Sequence, residues 1–154
     1  RDFCLSRGLG DVYKRQSQIS GGSRTSVGGY ATPEPKEENS AQFDISDTRT
    51  LDEVVNWLLD MGHIPSFCTA CYRAGRTGDR FMSLVKSGQI ANCCAPNALM
   101  TLKEYLEDYA SADTRAKGEV LIQKELKHIP NPKIKEIAAR NLKEIIEGKR
   151  DFRF

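Results

Sequence analysis

The sequence predicts an α/β fragment, in which a strand and a helix of a TIM-type barrel precede a small all-α domain with a cysteine-rich loop. Three observations support this: a strand-like stretch that runs into a glycine-rich loop, an amphipathic helix after it, and further helical patterns around a group of cysteines. The chain has 154 residues, 39% of them hydrophobic and 29% charged, which is enough for one domain or two small ones.

The first sixteen residues, RDFCLSRGLGDVYKRQ, show neither helical nor strand periodicity. They resemble a translated sequencing adapter, so we expect residues 1–16 to be a disordered artefact and exclude them from the fold prediction. They hold four basic and two acidic residues, which accounts for the whole net charge of +2. They also hold Cys4, which leaves four cysteines to explain. The rest of the chain is then expected to be a fragment of a longer protein.

Composition excludes two classes of partner. No basic block is present that could follow a phosphate backbone, so we expect no nucleic acid. No stretch approaches the ~18 uninterrupted apolar residues of a membrane helix, and the start lacks the apolar region of a signal peptide. A cytoplasmic protein without a membrane partner is therefore expected, in which cysteines are more typical of metal or redox sites than of disulfides.

The stretch from Ser17 to Tyr30 alternates around Ile19 and then places four glycines between positions 21 and 29. This pattern predicts a short strand over residues 17–25 and a glycine-rich loop, as at the ligand-binding end of a barrel strand, although a flexible linker fits the spacing equally well. Residues 31–40 are proline-rich and acidic and predict an exposed loop.

An amphipathic helix follows. Thr50 and Glu53 have the spacing of a capping box, and Gly62 stands where the helix should end. The apolar stripe between them consists of Leu51, Val54, Val55, Leu58 and Leu59.

Four more helical patterns come after the first cysteine pair. Gly118 is expected to interrupt the third of them, and Gly148 to close the last. Their first residues are predicted to be Thr77, Pro96, Ser111 or Asp113, and Asn131 with Pro132.

The cysteines form two pairs. Cys68 and Cys71 are a C-x2-C motif, whose spacing lets two thiolates turn toward one centre. Cys93 and Cys94 follow, and 22 residues separate Cys71 from Cys94. We expect the second pair to lie on a turn before Pro96, near a helix N-terminus whose N–H groups favour thiolate charge.

Three kinds of site fit these cysteines. Four thiolates could hold a structural zinc, although the adjacent second pair is unusual for a closed zinc site. A redox dithiol is expected at a strand-to-helix junction, whereas this motif lies between helices. An iron-sulfur cubane could use three thiolates and leave one iron open. Spacing does not separate zinc from iron-sulfur.

The arginines nearby, which could hold a carboxylate or stabilise an anionic cluster, are Arg73, Arg76 and Arg80.

The run SFCTACYRAGRTGDRFMSLVKSGQIANCCAPNALMTLKEYLEDYA resembles the C-terminal domain of the HydG family, the radical-SAM tyrosine lyases that mature iron-iron hydrogenase and carry a C-x2-C-x22-C auxiliary-cluster motif. The segments SQISGGSRTSVGGY and AQFDISDTRTLDEVVNWLLDMGHIPSF resemble the end of the radical-SAM barrel shared with 2-iminoacetate synthase and biotin synthase. The thiamine-pathway enzyme lacks the cysteine-bearing extension, which favours the HydG family.

The resemblance implies two regions. Residues 17–62 would be the last strand and helix of the radical-SAM barrel, in the biotin and thiamin synthesis-associated region. Residues 63–154 would be a helical domain that binds an auxiliary 4Fe-4S cluster. By motif, its ligands would be Cys68, Cys71 and Cys94, with Cys93 as a neighbour and with one iron left for exchangeable ligands or an additional iron.

The resemblance also implies an activity for the intact enzyme. A second 4Fe-4S cluster, held by C-x3-C-x2-C, and S-adenosyl-L-methionine would cleave tyrosine into p-cresol and dehydroglycine. Dehydroglycine would then yield carbon monoxide and cyanide at the auxiliary cluster, for the hydrogenase H-cluster. Cysteine, iron and other hydrogenase maturation proteins are the implied partners. The residues that could contact tyrosine or S-adenosyl-L-methionine are Ser20, Ser23 and Arg24.

No C-x3-C-x2-C motif is present in this chain, so we expect it to be inactive alone. Two other functions remain open. One is a zinc-stapled helical binding module without enzymatic activity, and the other is an enzyme of the thiamine pathway that resembles 2-iminoacetate synthase.

Overall fold

A computed structural model describes residues 21–23 and 49–154. The chain divides into two compact units, residues 1–54 and residues 55–154. None of the described helices is long and apolar enough to cross a bilayer. The helices are α1 (Leu51–Asp60), α2 (Ala70–Arg73), α3 (Asp79–Lys86), α4 (Ile90–Asp108), α5 (Ala112–Leu126) and α6 (Pro132–Ile146).

The prediction of an α/β fragment with a barrel strand is wrong for the described residues, which contain helices and no strand. Of the expected strand, only residues 21–23 are described, and they form a bend in which Gly22 has a φ of +64°. A Cβ atom at Gly21 would lie 3.0 Å from Val54 Cγ1 on α1. These glycines therefore serve a left-handed turn that packs closely against a helix, which an extended strand cannot provide.

The start and end of α1 confirm the sequence prediction. The Thr50 N–H donates to Glu53 Oε2 at 2.6 Å, and the Glu53 N–H donates to Thr50 Oγ1 at 3.3 Å, which is a capping box. The hydrogen bond from the Thr50 backbone also lowers the pKa of Glu53. At the other end, Gly62 takes a φ of +75° and its N–H donates to Leu59 O at 2.9 Å.

Helix α4 lies at the centre of the second unit and packs against both α5 and α6. One apolar core joins these three helices, and Val55 and Leu59 of α1 contribute to it. Its largest fully buried aliphatic side chains are Met100, Leu102, Leu106, Ile122 and Ile145. The core is therefore built around the second half of α4, which leaves the first half, with Cys93 and Cys94, toward one end of the unit.

The predicted starts of α5 and α6 are confirmed. Ser111 caps α5, with its side chain accepting from the Thr114 N–H at 3.4 Å. Asn131 caps α6 by accepting from the Lys133 N–H at 3.0 Å, and Pro132 occupies the first turn.

The predicted starts of α3 and α4 are wrong. Gly78 precedes α3 in place of Thr77, and α4 begins at Ile90, six residues before Pro96. Gly88, with a φ of +73°, ends α3 so sharply that α4 begins almost at once. Pro96 is accommodated inside α4 at the loss of one hydrogen bond, because it has no N–H to donate. The second cysteine pair consequently lies within a helix and not on a turn before one.

Gly118 does not interrupt α5, which is continuous around it. The residue is buried, and a Cβ atom there would lie 2.8 Å from Leu106 Cδ2. Since Leu106 is 1% exposed, its side chain has little space to move away. Glycine is thus required for the close approach of α4 and α5.

Replacing Gly118→Ala should destabilise the protein, because overpacking of about 1–3 kcal/mol outweighs the helix propensity of about 1 kcal/mol that alanine gains. Thermal unfolding followed by circular dichroism measures this change. In a double-mutant cycle, Leu106→Ala should make the cost of Gly118→Ala smaller than in the wild-type background. A Gly118→Ala variant more stable than the wild type would contradict the steric explanation.

A nearly buried cation also joins α4 to α5. The side chain of Lys103 is 4% exposed and pairs with Glu107 at 2.7 Å and with Glu119 of α5. Arg115 of α5 contacts Glu107 as well. Burial alone would raise the pKa of Glu107, but Lys103 and Arg115 together outweigh it and hold the pKa below its usual value of 4.5.

The lowered pKa gives a pH dependence. A carboxyl whose pKa is depressed on folding stabilises the protein above its unfolded pKa, and this contribution disappears as the pH falls through the folded value. Glu107→Gln should therefore lower the thermal midpoint at pH 7, and the difference from the wild type should shrink below pH 4.5. Equal differences at pH 7 and pH 3 would contradict it.

Candidate metal centre

One face of α4 carries the residues that organise the cysteines. Cys94, Asn97, Thr101, Glu104 and Asp108 follow one another at intervals of three and four residues, so their side chains form a stripe along the helix. We call this stripe the polar face of α4. Its members bind the segment around the first cysteine pair and residues 150–154.

The polypeptide before the first cysteine pair is anchored to this face. The Phe67 N–H donates to Thr101 Oγ1 at 3.2 Å. The Phe67 ring stacks on Tyr105, with 5.0 Å between ring centroids and 19° between planes. A hydrogen bond and an aromatic contact thus fix the residue directly before Cys68 on α4.

Cys68 and Cys71 occupy the turn that α2 makes. The Cys68 N–H donates to Ser66 Oγ at 3.3 Å, and Cys68 Sγ accepts from the Ala70 N–H at 3.4 Å. Cys71 lies inside α2, and both cysteines are partly buried. These two hydrogen bonds fix the position of Cys68 in the turn before α2.

The second pair lies in the second turn of α4. Cys93 Sγ and Cys94 Sγ are 3.8 Å apart, and the Cys93 thiol donates to Gln89 O at 3.5 Å, along its own helix. Burial, together with the neighbouring thiols of Cys93, Cys71 and Cys68, raises the pKa of Cys94 to about 11. Cys94 is therefore close enough to both members of the first pair to interact with them electrostatically.

The described residues do not form a mononuclear metal site. Nowhere in residues 21–23 and 49–154 do three His, Cys, Asp or Glu side chains converge on one ion position. A tetrahedral zinc site needs four donors about 2.3 Å from one point. In a cubane each thiolate binds a different iron, so the sulfurs gather around a larger group.

The three predicted arginines have different surroundings. Arg73 forms an ion pair with Asp151 at 2.7 Å, so its guanidinium is already bound to a carboxylate. Arg76 follows Cys71 closely, and its buried Nε has no hydrogen-bond partner among the described residues. Arg80 is exposed, and no carboxylate of the described chain lies within ion-pair distance of it. Of the three, Arg76 has the surroundings that fit a buried anion beside the cysteines.

The predicted barrel-side contacts are described only at one position. Ser23 is half-buried next to Gly22, whereas Ser20 and Arg24 lie outside the described residues. The role of the three residues in substrate contact stays a prediction.

An apolar cavity lies on a different side of α4. It has a volume of about 170 Å³, and none of the four described cysteines lines it. Its wall is formed by Ile64, Ala91, Ala95, Ala98, Leu99, Glu125, His128, Ile129 and Pro130. The concave surface and the cysteines are thus separate features of the unit.

Sequence reasoning missed the residues that support the cysteines. Thr101 and Asn97 look like ordinary helix residues, and Asp151 lies in a short charged segment. The one available signal was the spacing of Cys94, Asn97 and Thr101, which places polar groups on one face of a helix.

Comparison with known proteins gives one kind of match. No family model matches the chain, and no curated protein does. Among solved structures, the chain is similar to HydG, described as a maturase of the FeFe-hydrogenase, with 47% sequence identity and a TM-score of 0.82. The match covers 93% of this chain and 30% of the HydG chain, so this chain spans about a third of that protein.

Proposed function

We propose that this chain corresponds to a C-terminal part of a HydG-like protein, and that its helical unit binds an auxiliary 4Fe-4S cluster through Cys68, Cys71 and Cys94. The observation that carries the proposal is the position of Cys94. It lies on the polar face of α4, to which the first cysteine pair is anchored, and both thiols of that pair act on its pKa. Cys93, whose thiol donates to its own helix, is a neighbour.

The side chains around the thiols have distinct tasks in this proposal. The three cysteines would bind as thiolates. Burial raises the pKa of Cys94, and a bound metal would favour its thiolate against that effect. Arg76 would offer its unpaired buried N–H and its charge to the anionic group. When bound, a cluster with three protein ligands supplies one iron with an exchangeable position, at which an additional iron could also be attached.

For the longer protein, we propose the activity of a radical-SAM enzyme that cleaves tyrosine with S-adenosyl-L-methionine and a second 4Fe-4S cluster. Its product dehydroglycine would supply carbon monoxide and cyanide for H-cluster assembly, with cysteine, iron and other maturation proteins as partners. The identity of 47% to HydG supports this extension. A cytoplasmic location belongs to the same proposal, because a reducing compartment keeps cluster thiols free of disulfides.

Anaerobic reconstitution of the chain tests the cluster. The wild type should turn brown and hold about four iron and four sulfide per chain. Cys68→Ser, Cys71→Ser and Cys94→Ser should each lose most of this iron, whereas Cys93→Ser is the matched control and should keep it. Iron and sulfide assays with electron paramagnetic resonance measure the outcome. A colourless protein with one zinc, weakened equally by all four substitutions, would favour the zinc-stapled module instead.

A second prediction concerns the intact enzyme. Cys94→Ser should spare p-cresol formation and impair carbon monoxide release, because p-cresol formation belongs to the barrel and not to this unit. Chromatography of p-cresol and haemoglobin trapping of carbon monoxide measure the two products, again with Cys93→Ser as the control. Equal loss of both products in the Cys94 variant would refute this division of labour.

A further inference from the structure

The segment after α6 lies along the polar face of α4. At one end, Arg150 Nε donates to Asp108 Oδ2 at 2.9 Å. One residue later, the Asp151 N–H donates to Glu104 Oε1 at 2.8 Å. The segment therefore runs along α4 toward the N-terminal part of that helix, where Cys94 lies.

The other end of the segment is held by hydrogen bonds to a buried side chain. The Phe154 N–H donates to Asn97 Oδ1 at 2.9 Å, and Asn97 Nδ2 donates back to Phe154 O at 3.4 Å. Asn97 is 3% exposed, so these bonds are shielded from water, and the ring of Phe154 packs against the core. Asn97 is one helical turn from Cys94, which brings the segment next to the cysteine site.

Between these two ends, Asp151 reaches across to α2. Arg73 donates to both carboxylate oxygens of Asp151, at 2.7 and 3.3 Å. This hydrogen bond lowers the pKa of Asp151 and keeps it ionised. Asp151 has a φ of +65°, a conformation that Asp and Asn tolerate better than most residues. Arg73 is the last residue of α2, two positions after Cys71.

An exposed ion pair such as this one normally stabilises a protein very little. Here, however, the backbone of Asp151 is fixed in advance by its hydrogen bond to Glu104 and by the hydrogen bond of Phe154 to the buried Asn97. The carboxylate therefore loses little further entropy when it binds Arg73. The bidentate geometry also fixes the orientation of the Arg73 guanidinium. Arg153 contacts the same carboxylate at 3.1 Å and adds no link to α2.

We propose that residues 151–154 form a clasp that holds α2 against α4, with Asp151 as the residue that positions Cys71 relative to Cys94. The inference rests on the proposed function in so far as the positioned thiols bind a cluster. The clasp itself is a property of the protein chain and can be measured without metal.

The test is Asp151→Asn, which keeps the left-handed backbone and the side-chain size but removes the charge. In the metal-free chain, amide hydrogen exchange over residues 68–75 should become faster, on the order of fivefold. In the reconstituted chain, loss of iron to a chelator should accelerate by a similar factor, and the electron paramagnetic resonance lines of the cluster should shift. The thermal midpoint should stay within about 2 °C, because the pair is exposed.

Two comparisons make the result specific. Glu144→Gln removes the exposed pair with Lys149 and changes the charge equally, and it should leave exchange over residues 68–75 unchanged. In a cycle with Arg73→Gln, the double variant should be no worse than Asp151→Asn alone. Unchanged exchange in Asp151→Asn would overturn the clasp. Faster exchange in a chain that binds no cluster would support the clasp and overturn the cluster function.

Discussion

The apolar packing of α4 against α5 and α6 determines which way its remaining side chains point. Met100, Leu102 and Leu106 must face the core, and this rotation presents the polar face of α4, with Cys94, Asn97 and Thr101, to the segment that bears Cys68 and Cys71. Because a helix is rigid at this length, each polar contact reinforces the same alignment. Core packing thus sets the orientation of α4, and hydrogen bonds to its polar face set the position of the segment that bears Cys68 and Cys71.

How much the sequence could predict depended on whether a signal is local. The capping box at Thr50 and the caps at Ser111 and Asn131 were predicted correctly, because each is a hydrogen bond within three residues. The start of α4 was missed, since Pro96 is a strong helix-start signal and yet is buried inside a helix that begins six residues earlier. Gly118 was predicted to interrupt α5, whereas it allows the close approach of Leu106 from α4. Sequence alone does not show this contact, because the two residues lie on different helices.

The candidate site divides in a similar way. Cys68, Cys71 and Cys94 were chosen by spacing and by family resemblance, and the thiols of Cys71 and Cys68 contribute to the raised pKa of Cys94. What spacing cannot reveal is the support around them, since Arg73 and Asp151 meet across 78 residues. The strand predicted over residues 17–25 failed because a local signal was ambiguous. Glycines suit a left-handed bend, as at Gly22, as readily as a loop after a strand.

Helix α3 offers a last consequence. It buries none of its residues, although it lies in the middle of the 22-residue excursion from Cys71 to Cys94. The segment between Cys71 and Cys94 therefore adds little contact energy to the native state. A metal cluster bound to both cysteines would cross-link the ends of this segment much as a disulfide does. It would restrict the denatured ensemble, and a closure of about 20 residues is worth roughly 3 kcal/mol in chain-entropy terms. Such a bridge would couple cofactor loading to resistance against unfolding.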